Sequence, residues 1–281
     1  MNLENLLMSS VQAPSQGHCK AVSTASFPFL WIRCKDDSGD RDAATVEVTG
    51  SNIVFTTDGT TADTTVNTTG TIDCSSPGAG SDTIGEVVDL INAGGKWEAK
   101  LLNGLRSWTL ASVSALVTIA EKDADYTTNG VTLYIDASVS IGGAYFYCWS
   151  ITGFDPYTAP AGKSFYSDEN CQNEIDYISW LINASTAGNA KLHIYGVYDD
   201  GVPANYAERE IFTINIDNTQ TTWGTHAGPI FKGATGERLM IIMEEDNSTT
   251  IDSDNMTVHG KCVDLTGAHI NRCNVATNSA A

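Results

Sequence analysis

Apolar residues recur mostly at every second position along this chain, and that period predicts strands rather than helices. The runs PFLWIRC, TVEV, NIVFTT and TTVN fill the first third. VTLYID, AYFYCWSI, NEIDYISWLI, AKLHIYGVYDD, REIFTINI, RLMIIMEED and MTVHGKCVDL follow at fairly even spacing after residue 130. Glycine, proline, asparagine and aspartate cluster between them, as in Thr49-Gly50, Asp58-Gly59, GFDPYTAPAG and DNSTTIDSDN, and such clusters mark turns.

One stretch breaks the pattern. From Thr83 the period becomes 3.6: Ile84, Val87, Val88 and Ile91 form an apolar stripe, Thr83 and Glu86 have capping-box spacing, and Gly94-Gly95 ends the element. The period then returns to two, with Trp97, Ala99 and Leu101 on one face and Glu98 and Lys100 on the other. Asn103-Gly104 predicts a tight hairpin turn with both residues at positive φ. A helix this short is marginal alone in water, so its stripe is expected to dock on a sheet.

Together these patterns predict a mainly β chain in two parts. The first, residues 1–125, is a β-rich α+β domain with one short helix. The second, residues 126–281, is an antiparallel β-sandwich of jelly-roll type, because evenly spaced strands without helices leave no room for parallel crossovers. EKDADYTTNG, residues 121–130, is the most linker-like stretch and places the boundary.

GTIDCSSPGAGSD followed by TIGEVVDLINAGGKWEAKLLNGL resembles the flagellin hook IN motif, a strand, helix and strand unit similar to segments of tailed-bacteriophage structural proteins. Thr83, Ile84, Val88, Ile91, Asn92, Ala93, Ala99 and Leu101 carry the resemblance, within residues 70–105. The second half resembles the β-sandwich modules of virion and tail proteins, with GERLMIIMEED in the place of a penultimate strand. The resemblance implies a building part of an assembly and supplies no catalytic residue.

Composition sharpens this picture. Fifteen lysines and arginines against 34 aspartates and glutamates give a net charge of −19, which repels nucleic-acid phosphates and anionic lipid surfaces. No apolar run approaches the ~20 residues of a membrane span, and MNLENLLMSSVQA lacks the basic start and apolar block of a signal peptide. Synthesis in a host cytoplasm is the expectation. Seven cysteines without any C-x-x-C pair predict buried thiols rather than a disulfide or zinc framework.

The candidate chemistry is thin. APAGKS ends like a phosphate loop, but the first glycine of that motif would fall at Tyr157. The five histidines lack metal-ligand spacing, and His193 and His259 fall within strand patterns where a satisfied half-buried ring is expected. Asp36, Ser38, Asp40 and Asp42, and again Asp252 and Asp254, alternate in a way that could suit Ca²⁺, but the glycine and glutamate of an EF-hand loop are missing and a solvated acidic turn is the better reading. No cofactor is expected.

Two features point to contact instead. Tyr145, Tyr147 and Trp149 alternate along one strand and would share a face fit for a subunit interface or a glycan, unless both faces are core. Leu3, Leu6 and Leu7 lie in a segment, Met1 to Gln16, that suits an assembly arm ordered against a neighbour. The sequence therefore predicts a non-enzymatic virion protein, a capsid decoration or tail component working as a homo-oligomer with other virion proteins. A glycan- or receptor-binding module of a viral tail or fibre is the second reading, and a carbohydrate-active hydrolase the third.

Overall fold

The computed structural model describes residues 26–74, 83–109, 115–136, 145–151, 171–184, 189–199, 201–217, 222–245, 251–264 and 270–278. They form a mainly β chain of four antiparallel sheets and one α-helix. The first sheet sets β1 (Ser26–Cys34) between β5 (Trp97–Leu101) and β7 (Val131–Asp136). The second runs β4 (Thr71–Asp73), β3 (Asn52–Thr56), β2 (Thr45–Thr49), β6 (Ile119–Asp123).

β1 is central because it is apolar on both faces: Phe27, Phe29, Leu30, Trp31, Ile32 and Cys34 are all buried. In β2 and β3 only alternate residues point inward, Val46 and Val48 opposite Phe55 and Ile53. Their outer face is polar, with the hydroxyls of Thr45 and Thr56 2.7 Å apart. The Thr49-Gly50 and Asp58-Gly59 turns form as the sequence predicts. Gly50 and Gly59 take φ of 61° and 81°, and one Asp58 carboxylate oxygen accepts from the backbone N–H groups of Thr60 and Thr61.

Helix α1 (Ile84–Ala93) starts at the predicted capping box: Glu86 N–H donates to Thr83 Oγ1 at 3.3 Å, and Thr83 N–H donates to Glu86 Oε2 at 2.9 Å. Ile84, Val87, Val88 and Ile91 are buried, and the helix packs on β5, whose Trp97 and Leu101 are buried as well. Its end passes very close to another loop. A Cβ on Gly94 would lie 2.1 Å from the Thr65 carbonyl oxygen, so only glycine fits.

Beyond β5 the chain departs from expectation. Gly104 has φ of 96°, but no described non-glycine residue, Asn103 included, has positive φ, and no hairpin forms there. β5 pairs instead with β1, with Leu101 opposite Leu30. β1 bulges against β7 between Pro28 and Leu30, and the carbonyls at that bulge capture the passing chain. Leu102 N–H donates to Phe29 O at 2.7 Å, and the buried amide of Asn103 donates to Pro28 O at 2.7 Å. A buried amide must find a partner, and that requirement outweighs a local turn preference. Lys100 departs too: both faces of β5 are covered, so it is 3% exposed rather than outward-facing.

The linker-like stretch is a tied loop. Its first residues complete β6, the Asp125 carboxylate accepts from Thr127 N–H and Oγ1, and Trp31 Nε1 donates to Asn129 O at 2.8 Å. The ladder between β1 and β7 spans position 125/126, so these two strands on either side of it share one sheet.

The third sheet has the order β11 (Ala207–Asp217), β10 (Asn189–Tyr198), β13 (Arg238–Glu245), β8 (Tyr145–Ile151). The fourth has the order β12 (Thr222–Lys232), β9 (Cys171–Ala184), β14 (Ile251–Asp264), β15 (Ile270–Asn278). β8, β9, β12, β14 and β15 join these sheets through antiparallel backbone pairing. Leu192 and Ile194 of β10 with Leu239 and Ile241 of β13 are fully buried, and β13 lies against β9. The opposite face of β13 meets the first sheet: Gly104 N–H points at Met240 Sδ, 3.3 Å away, and Arg238 Nη1 donates to the carbonyls of Leu101 and Leu102 at 3.0 and 2.8 Å.

Candidate functional site

The most developed polar arrangement outside the sheets is a strap over the start of α1. The first turn of a helix has N–H groups without intrahelical partners. Here Thr83 takes one from Glu86, Arg106 O takes Gly85 N–H at 2.9 Å and Trp108 O takes Ile84 N–H at 2.9 Å. Glycine eases the close approach, because a Cβ on Gly85 would lie 3.1 Å from both Cβ and Nε of Arg106, which would have to give by a few tenths of an ångström.

Arg106 then turns along the helix. Its Nη2 donates to Gly85 O at 3.1 Å and to Asp89 Oδ1 at 2.5 Å, and its guanidinium lies over the Tyr206 ring, 5.0 Å from the centroid. Glu208, near the start of β11, gathers the strap from the other side. It accepts from Arg106 N–H, from Ser107 Oγ at 2.7 Å and from the Tyr206 hydroxyl. Burial and the Glu208 carboxylate push the Tyr206 phenol up, so it remains a hydrogen-bond donor at any physiological pH. The strap thereby ties α1 to β11.

Clefts open on both sides of the Arg106–Asp89 pair. One has a volume of 340 Å³ and lies between α1, β5 and the loop after β10, with Val88, Ala93, Ala99 and Pro203 as apolar lining and Asp89, Arg106 and Asp199 as polar lining. The other is a shallower depression bounded by Glu86, Ser107, Tyr206 and Glu208.

A second charged cluster lies under the acidic loop after β1. Asp63 is buried and accepts from Arg41 Nε at 2.8 Å, Arg41 Nη2 at 3.2 Å, Trp97 Nε1 at 2.9 Å, and Thr65 N–H and Oγ1. Burial alone would raise its pKa, but these donors outweigh it and hold the carboxyl well below the usual range. Asp36 accepts from Lys96 and Ser38, which lower it to about 2, and it also meets Arg41 Nη1 at 2.9 Å. This carboxylate of the acidic loop is occupied by two basic side chains.

Other predicted residues separate. His193 lies on β10 with Nδ1 2.8 Å from Glu210 and Nε2 2.9 Å from Glu244, a ring satisfied on both nitrogens and half-buried as its strand pattern predicts. Cys34 and Cys74 are buried thiols, both pushed up by burial, Cys74 to about 12. Tyr145, Tyr147 and Trp149 occupy β8 opposite Glu245, Met243 and Ile241, a placement of backbone alone. Leu3, Leu6, Leu7 and the APAGKS segment lie outside the described residues.

Sequence reasoning missed Arg106, Tyr206, Glu208 and Asp199, since about a hundred residues separate the members of that cluster. The one local signal is a glycine, Gly85, in the first turn of an otherwise good helix. No family model, curated protein or solved structure matches the chain.

Proposed function

We propose that the chain is a virion structural protein, a capsid decoration or tail component, whose work is done by contact with copies of itself and with other particle proteins. The observation that carries this reading is the strand order of the third and fourth sheets. β8 to β15 divide between two four-stranded sheets, and the chain changes sheet at five of the seven steps between them. Strands far apart in sequence pair, β9 with β14 and β10 with β13, as in a long antiparallel ribbon rolled on itself. These two nested pairings support reading the second half as a jelly-roll-like sandwich, a form suited to presenting flat faces and strand edges.

Among the named strands the two sheets end at β8, β11, β12 and β15. An edge strand can be completed by a neighbour's backbone. β11 is eleven residues long and carries Phe212, which is 40% exposed. The charge of −19 opposes self-association at low ionic strength, so contacts should strengthen as salt screens it. No helix among the described residues is long and apolar enough to cross a membrane.

Sedimentation velocity on the wild type and on Phe212→Lys, at low and moderate salt, tests the reading. The expected result is a larger species that grows with salt and is reduced in the variant. A single monomeric species under every condition, with no binding to particle proteins, would reject it.

A further inference from the structure

The 340 Å³ cleft beside α1 is lined by both apolar side chains and carboxylates. Val88, Ala99 and Pro203 line it from the helix, from β5 and from the loop after β10. Asp89 and Asp199 supply carboxylates from separate elements, and each spends one oxygen within the fold. Asp89 Oδ1 takes Arg106 Nη2, and Asp199 Oδ1 takes Gly201 N–H at 3.1 Å. Among the described residues neither Oδ2 has a hydrogen-bond partner. Asn92, which also lines the cleft, is saturated: its amide bridges Val88 O and Ala99 O, and its carbonyl accepts Ala99 N–H.

The charge count decides what fits. Arg106 offsets Asp89, because the two are paired at 2.5 Å. Asp199 forms no ion pair among the described residues, and the charge of Lys100, which interacts with it electrostatically, is suppressed by burial, which pushes the amine down to about 6. An anion would meet two carboxylates, and a purely apolar group would strand Asp199 without its water.

We propose that this cleft is a socket for a basic side chain, lysine or arginine, of a partner polypeptide. The methylene stem lies on Val88, Ala99 and Pro203, and the cationic head reaches the unused oxygens of Asp199 and Asp89. A chain of charge −19 matches a cationic partner surface at long range as well. The socket is independent of the assembly reading. A monomer that binds the probe below would sink that reading alone, and an oligomer blind to the probe would sink the socket alone.

The test uses N-acetyl-lysine amide, with N-acetyl-norleucine amide as its uncharged counterpart, titrated into the full chain and followed by the backbone amide resonances of Ala93, Ala99 and Gly201. The lysine amide should shift these resonances and bind about tenfold more tightly than the norleucine amide, the worth of one charge contact of roughly 1.4 kcal/mol. Asp199→Asn keeps an oxygen for Gly201 and should lose about the same factor with its melting temperature unchanged. Should that variant fold poorly, salt dependence in the wild type decides the matter, since added salt must weaken the lysine amide and leave the norleucine amide alone. Equal binding of the two amides, no shift at the three residues, or an undiminished affinity in Asp199→Asn overturns the proposal.

Discussion

Replacing Asp63 by asparagine changes almost no volume, yet it removes the charge that five donors converge on. In the wild type Arg41 approaches with two nitrogens, Trp97 Nε1 donates from the end of β5, and Thr65 closes the loop with its N–H and hydroxyl. Asparagine has one acceptor oxygen and presents an NH₂ to at least one of these donors. Breaking a buried ion pair from one side costs about 3–5 kcal/mol, because the remaining charge stays buried. Leaving Trp97 Nε1 without an acceptor would add about 1–3 kcal/mol. Arg41 retains Asp36 at 2.9 Å, which offsets part of the loss, so we expect about 4 kcal/mol in total. Urea unfolding followed by tryptophan fluorescence measures it. The paired replacement Arg41→Met with Asp63→Leu removes both charges and should cost less than Asp63→Asn alone. A loss below about 1 kcal/mol for Asp63→Asn, or a double variant weaker than the single one, would mean that Asp63 is not the buried, charged hub of these five donors.

Gly94→Ala forces a Cβ to within 2.1 Å of the Thr65 carbonyl oxygen and should cost about 1–3 kcal/mol by chemical denaturation. Asp63 has a depressed folded pKa, so its contribution is present above the unfolded value near 4 and is lost as pH falls below it. Asp63→Asn should therefore flatten the acid limb of the stability profile. Lys100 has a folded pKa of about 6 against about 10.4 unfolded, so the unfolded chain binds the extra proton between these values and stability rises with pH there. Lys100→Met should remove that slope, which is at most about 1.4 kcal/mol per pH unit, in a series of denaturant titrations from pH 6 to pH 10.

The parts of the fold legible in the sequence were those set by neighbours within a few residues. The Thr83 and Glu86 cap needs only an i, i+3 spacing, and the Gly50 and Gly59 turns need only a residue that tolerates positive φ. The partner of β5 was not legible. Local chemistry at Asn103-Gly104 favours a hairpin, and the competing bond to Pro28 comes from 75 residues away. Lys100 shows the same limit: alternation places it outward, and only the covering of both faces of β5 makes it buried. The strap and cleft depend on Arg106 and Asp89 meeting a loop that begins at Asp199, and their residue types give no hint of it. Cluster formation across such separations is a property of packing rather than of pattern.

Light scattering of the full chain over a wide concentration range, at low and at physiological salt, tests the central claim that this protein works by self-contact. A self-assembling chain should show a mass above 30.0 kDa that rises with concentration and with screening of the −19 charge. Deleting Met1 to Gln16, with Leu3, Leu6 and Leu7, should lower that mass and leave the melting transition nearly unchanged. A chain that stays at monomer mass throughout, binds no particle protein and turns over a substrate would contradict it.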